Sequence, residues 1–90
     1  FQEFCTGRTE GIALIERLRI GQHNDTFLKM FELTAEEALT ITPTQLVSDA
    51  SSPALFGALT SATPIEALEV TGRRKKGTFP LEICVRPLPQ

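Results

Sequence analysis

An α+β fold, an antiparallel sheet with short helices packed on one face, is what three observations in this sequence predict. Two short segments rich in branched residues, 11–16 and 19–23, stand close to the start with only a tight turn between them. The stretch from 24 to 63 carries helix caps and apolar residues at helical spacing. Towards the end, Phe79, Leu81, Ile83 and Val85 alternate with Pro80, Glu82, Cys84 and Arg86. That period of two marks a strand with one buried face. Strand pair, helices, strand pair is the order of helices laid on an antiparallel sheet.

Each element has a local reason. Phe1 and Phe4 lie three apart, a spacing that puts both rings on one face of a short helix. Residues 1–10 therefore read as an N-terminal cap on the domain or on a second copy, or as a frayed end. The domain proper is expected over 11–90. Its first strand, residues 11–16, is branched and bounded by Gly11 and the Glu16-Arg17 pair. The second, 19–23, pairs antiparallel with it because the connection is short. Asn24 is a helix N-cap, since its side-chain oxygen accepts from free N–H groups of the first turn. Phe27, Leu28 and Phe31 give that helix an apolar face. Thr34 and Glu37 form a capping box that starts a second helix, and Thr42-Pro43 ends it. Ser52 caps a third, with Pro53 at its first position and Leu55, Phe56 and Leu59 on its buried face. Residues 65–71 form the next strand. Arg73-Arg74-Lys75-Lys76-Gly77 then makes a charged hairpin turn, in which Gly77 supplies a positive φ. The expected core gathers Ile12, Leu14, Ile20, Phe27, Phe31, Leu39, Leu46, Leu55, Phe56, Leu59, Phe79, Leu81 and Ile83.

Bulk properties bound the function. Ninety residues make one domain. Such a chain buries only about 60–65% of its unfolded surface, so the core is thin. A net charge of −2 argues against nucleic acid as the main partner. Residues 12–15 are the longest aliphatic run, far short of the roughly 20 residues of a membrane span, so no membrane insertion is expected. No secretory leader is expected, because no basic segment followed by an apolar stretch opens the sequence. Cys5 and Cys84 are too few and too far apart for a disulfide framework. Both are expected reduced and packed as small apolar residues, which points to the cytoplasm.

Four runs of residues together resemble the PAS sensor-domain family, over nearly the whole chain. Glu10-Gly11-Ile12-Ala13-Leu14-Ile15 is like the opening D-G-I-x-x-x-D strand, and Arg19-Ile20 followed by Asn24 is like R-I-x-x-x-N. The stretch from Phe27 to Glu37 is similar to A-x-x-x-x-x-G-Y-S-x-E-E. The hairpin from Arg73 to Glu82 is similar to R-R-K-D-G-S-x-F-P-V-E. Glu32 stands where the family usually has Gly, so this helix junction need not adopt a left-handed backbone; Lys76 stands where Asp is usual. The family's last strand, with a sequence such as G-x-x-x-G-x-x-x-x-x-D-I-T, has no counterpart before Gln90. In the family that strand lies mid-sheet, beside the first strand and the strand holding Ile83. Two unpaired edges would result unless the N-terminal segment or a partner chain fills the slot.

The resemblance implies an input or docking module of a larger signalling protein, the neighbours in such proteins being histidine kinases, cyclic-dinucleotide enzymes and transcription factors. Two mechanisms follow. In one, the domain homodimerises or docks, using Phe1, Phe4 and an outer sheet face bearing Ala13, Ile15, Leu68 and Val70, and biases an attached effector. In the other, a small apolar ligand or cofactor sits between sheet and helices against Gln22, Phe27, Phe31, Leu39, Leu55, Phe56, Leu59, Phe79, Leu81 and Ile83. Its polar anchor would be Gln22, Thr26 or Thr42, since ligand pockets use a few placed polar groups. No cofactor is assigned. His23 is the sole histidine; the helix that carries the haem ligand in haem-binding relatives corresponds to 53–61 and has none. The N-C-R-F-L-Q motif of flavin-adduct relatives is absent. No catalytic set and no metal-ligating set stands out, and the chain is read as non-enzymatic. The basic run at 73–76 reads as a solvated hairpin tip.

Overall fold

A computed structural model describes residues 2–6 and 10–88. The elements are strand β1 (Gln2–Thr6), strands β2 (Ile12–Glu16) and β3 (Arg19–His23), and helices α1 (Asp25–Phe31) and α2 (Ala35–Thr40). A 3-10 turn (Pro43–Leu46), helix α3 (Ser52–Thr60) and strands β4 (Ile65–Arg74) and β5 (Gly77–Pro87) complete the fold. The strands form one antiparallel five-stranded sheet in the order β3-β2-β1-β5-β4. The helices pack on one face of it, so the α+β arrangement expected from the sequence is the one adopted.

The slot expected to be open is filled by the N-terminal segment. β1 lies between β2 and β5, with Phe4 opposite both Ala13 and Val85. The short-helix reading of this segment is therefore corrected. Phe4 and Thr6 are buried while Glu3 and Cys5 face the other way, the period of a strand. Phe1 lies outside the described residues. Among those described, β1 alone joins the β2–β3 hairpin to the β4–β5 hairpin. The edges of the sheet are β3 and β4. Residues 47–51 cover part of the β4 edge: Ser48 N–H donates to the Thr71 carbonyl at 2.8 Å, and the Thr71 N–H donates to Ser51 Oγ at 2.9 Å.

Local chemistry sets most element ends. Asn24 Oδ1 accepts from Phe27 N–H at 2.9 Å, as an N-cap does, and also from Ile12 N–H at 3.0 Å, tying α1 to the start of β2. The capping box at α2 is complete, with Glu37 N–H donating to Thr34 Oγ1 at 3.1 Å and Thr34 N–H to Glu37 Oε1 at 2.9 Å. The cap of α3 is Ser51 rather than Ser52, and Ser51 makes no capping hydrogen bond because its hydroxyl is spent on β4.

Backbone conformations at two turns depart from what residue type favours. Arg17 and Leu18 have φ of 52° and 61°, the two positive angles that a tight hairpin needs to match strand twist. Glu32 has φ 55° and ψ 45°, left-handed, against the expectation for a non-glycine residue. One reason is local and the other tertiary. Its N–H closes α1 by donating to the carbonyls of Leu28 and Lys29, and its carboxylate receives the Lys76 N–H from the β4–β5 turn at 3.0 Å. In that turn Gly77 takes φ 125° as expected.

The core contains Phe4, Ala13, Ile15, Ile20, Phe27, Phe31, Leu46, Val47, Leu55, Leu59, Val70, Leu81, Ile83 and Val85. The faces of β2 are the reverse of those expected. Ala13 and Ile15 point to the helices, Ile15 being 1% exposed, while Ile12 is 38% exposed on the outer face and Leu14 is half-buried. Both alternations in Ile12-Ala13-Leu14-Ile15 are apolar, so periodicity does not choose between them, and a one-residue slip exchanges the faces. Pairing of Ile15 with Ile20 and of Ala13 with Phe4 makes the choice. On β4, Val70 is buried and Leu68 half-buried, both on the inner side opposite Leu81 and Ile83. The outer-face assignment of Ala13, Ile15, Leu68 and Val70, and of Phe4, is thus overturned.

Candidate functional site

The space between sheet and helices is filled by aromatic rings. Phe27 and Phe31 sit 5.1 Å apart, Phe4 meets Phe27 edge-on at 6.0 Å, and Phe79 lies 5.8 Å from Phe31. Such pairs add attraction beyond the area they bury. Of the residues expected to hold a core ligand, Phe27, Phe31, Leu55, Leu59 and Ile83 instead contact one another and the sheet as packed core. Leu39 and Phe56 point to solvent at 61% and 48% exposure, and Gln22 is exposed on the edge strand. Helical spacing put Leu39 and Phe56 inside, but α2 and α3 bury Ala38, Leu55, Ala58 and Leu59 instead. Phe79 and Leu81 are the two expected ligand contacts that line open space.

That space is a groove of about 870 Å³ along β4 and β5, open to solvent and lined by Met30, Ser51, Val70, Arg74, Phe79 and Leu81 among others. Gly72 lies under the Phe79 ring, where a Cβ would come within 2.6 Å of Cζ, so the ring rests on bare backbone. The Arg74 guanidinium stacks on the same ring at 4.3 Å, a cation–π contact.

The rest of the basic run is engaged within the chain rather than merely solvated. Arg73 pairs with Asp49 at 3.3 Å, Lys75 with Glu37 at 3.0 Å and Lys76 with Glu32 at 3.6 Å. Exposed pairs like these add little stability, but they pin the hairpin tip over the junction of α1 and α2. The Glu37 carboxyl is held below its ordinary value, first by the Thr34 backbone N–H and then by Lys75.

The outer face of the sheet bears no helix among the described residues. Its centre is a row in which Cys5 of β1 stands opposite Ile12 of β2 on one side and Cys84 of β5 on the other. Leu14 extends the apolar surface, and Glu3, in register with Leu14 and Arg86, forms an ion pair with Arg86 at 4.0 Å. Cys5 Sγ donates to Glu3 Oε1 at 3.2 Å. Burial, then the Glu3 hydrogen bond and the neighbouring Cys84, push the Cys5 thiol up from 9.0 to about 12. Because the folded value lies above the unfolded one, keeping this thiol protonated stabilises the fold fully below pH 9.0. That contribution is lost as pH climbs to about 12. Iodoacetamide at about pH 8 is expected to label Cys5 at least roughly a hundredfold more slowly in the folded chain than in denaturant. Equal rates, read by mass on the peptide spanning residues 1–8, would contradict this environment.

The proximity of the two cysteines was not legible in the sequence. The signal that finds it is their shared parity with charged neighbours, Glu3 beside Cys5 and Glu82 and Arg86 beside Cys84, once residues 2–6 are known to be a strand. No protein-family model matches the chain, and no curated protein matches it.

Proposed function

We propose that this chain is a PAS-type, non-enzymatic interaction module of a cytoplasmic signalling protein, homodimerising or docking through the outer face of its sheet and so biasing an attached effector. The observation that carries this reading is the bare outer face, with Ile12, Leu14, Cys5 and Cys84 in adjoining positions and charged residues around them. The aromatic filling of the inner space weighs the same way, since it takes up the volume a core ligand needs. The docking surface is thus built on Ile12 and Leu14 in place of Ala13 and Ile15. The resemblance in motif order and hairpin is what supports the family reading and the expectation of an effector.

A second reading has its own observation, the groove along β4 and β5. A small molecule with an apolar body would meet Met30, Phe79 and Leu81, with Arg74, Glu69 and Glu82 lining the same groove for its polar groups. Such a ligand acts only by binding two states of the domain unequally.

Native mass spectrometry of the wild-type chain and of Ile12→Glu tests both readings. A wild-type dimer that Ile12→Glu converts to a monomer, with an unchanged unfolding midpoint, is the expected result. A wild-type monomer at every concentration overturns the homodimer. An added small-molecule mass on the monomer turns the choice to the groove.

A further inference from the structure

We propose that Cys5 and Cys84 are a cross-strand thiol pair that a low-molecular-weight disulfide, such as glutathione disulfide, oxidises to an intramolecular disulfide fastening the central strand into the sheet. The pair is set by strand register within one chain but lies on the outer face that the docking reading covers, so its oxidation is followed in the Ile12→Glu variant as well as in the wild type.

The geometry carries it. Cys5 and Cys84 are direct partners across β1 and β5. Directly opposed residues of an antiparallel pair have Cα atoms about 4.5–5.5 Å apart, inside the range of roughly 4.4–6.8 Å that a disulfide spans. Both side chains leave the sheet on the same outer face, and both are half-exposed. Neither is enclosed by the helical layer, so a small disulfide reaches them without opening the core.

The step balances as two protein thiols plus one glutathione disulfide giving one protein disulfide plus two glutathione thiols. Cys84, as thiolate, attacks one sulfur of the oxidant and expels the first glutathione. Cys5 then attacks the Cys84 sulfur and expels the second, its proton leaving by way of the Glu3 carboxylate that already accepts the Cys5 S–H hydrogen bond. Cys5 is the slower nucleophile, because burial and Glu3 hold it as a thiol, so its attack on the mixed disulfide sets the rate. The consequence is structural. β1 is the strand through which the two hairpins are joined, and the bond ties it to β5 across nearly the whole chain. Oxidation therefore removes from the unfolded ensemble the conformations in which β1 has left its slot.

The test is incubation of the folded wild-type chain with glutathione disulfide, followed by thiol titration, intact mass and a non-reducing tryptic map. The expected result is loss of both thiols together, a chain lighter by two hydrogens, and the peptide of residues 1–8 joined to the one that begins at Gly77. A raised melting temperature, reversed by dithiothreitol, is expected with it. Cys5→Ser and Cys84→Ser, both on the half-exposed face, are expected to keep the reduced melting temperature under the same treatment. In denaturant the two cysteines lose their register, and closure is expected to slow by on the order of tenfold or more. A wild-type chain that keeps a stable glutathione adduct, forms a covalent dimer, retains both thiols or closes equally fast when unfolded overturns the proposal.

Discussion

Phe4→Ala is expected to lower the free energy of unfolding by about 3–5 kcal/mol, a large part of the roughly 5–15 kcal/mol that holds a domain folded. Phe4 is buried at the middle of β1, against Phe27 and Phe31. Its loss leaves a cavity where the sheet meets α1, and it weakens the strand that joins the two hairpins. A short strand is held mainly by what its inward side chains bury, and in β1 the inward side chains are Phe4 and Thr6. Urea unfolding measures the effect directly. An unchanged midpoint would mean that β1 does not occupy the centre of the sheet in solution. The β2–β3 and β4–β5 hairpins would then have to be held together through the helices alone.

Ile15→Glu is expected to unfold the domain at neutral pH rather than to detach a partner. The side chain is 1% exposed, opposite Ile20 and facing the helices. A carboxylate placed there has no partner, and an unpaired buried charge costs at least about 3–5 kcal/mol. Burial raises the pKa of such a carboxyl, so the variant is expected to regain structure as pH falls and the group takes up its proton. Circular dichroism across that pH range reads the result. A folded Ile15→Glu at neutral pH would place this residue on the outer face after all. The contrast with Ile12→Glu, three residues away on the opposite face, makes the pair of variants a test of strand parity in β2.

Much of the fold was legible because its signals are local. The Asn24 cap, the Thr34–Glu37 box, the Gly77 turn and the alternation of Phe79 to Val85 each need only a few neighbouring residues, and each forms as expected. Local signals failed where two answers fit equally well. The Phe1–Phe4 spacing suits a helix turn, yet residues 2–6 find better use as a strand because both neighbouring strands offer them hydrogen bonds. Glu32 illustrates the same limit for a single residue. Its left-handed turn closes α1 locally, but the partner of its carboxylate, the Lys76 N–H, lies forty-four residues on.

The candidate site was less legible than the fold, because a site depends on which residues meet. Phe79 and Leu81 were found from periodicity and do line the groove, and Arg74 joins them through the β4–β5 hairpin, but Met30 joins them only through the packing of α1 on β4. By itself the sequence determined the order of elements from β2 to β5, the caps of α1 and α2, the hairpin turn and the α+β class, since these rest on propensity and short-range hydrogen bonding. Tertiary structure decided the strand that occupies the centre of the sheet, the face that Ile12 and Ile15 each present, and the meeting of Cys5 with Cys84. The physical reason is that strand pairing is long-range. Its register is set by what both partners bury together, and no window of the chain contains both.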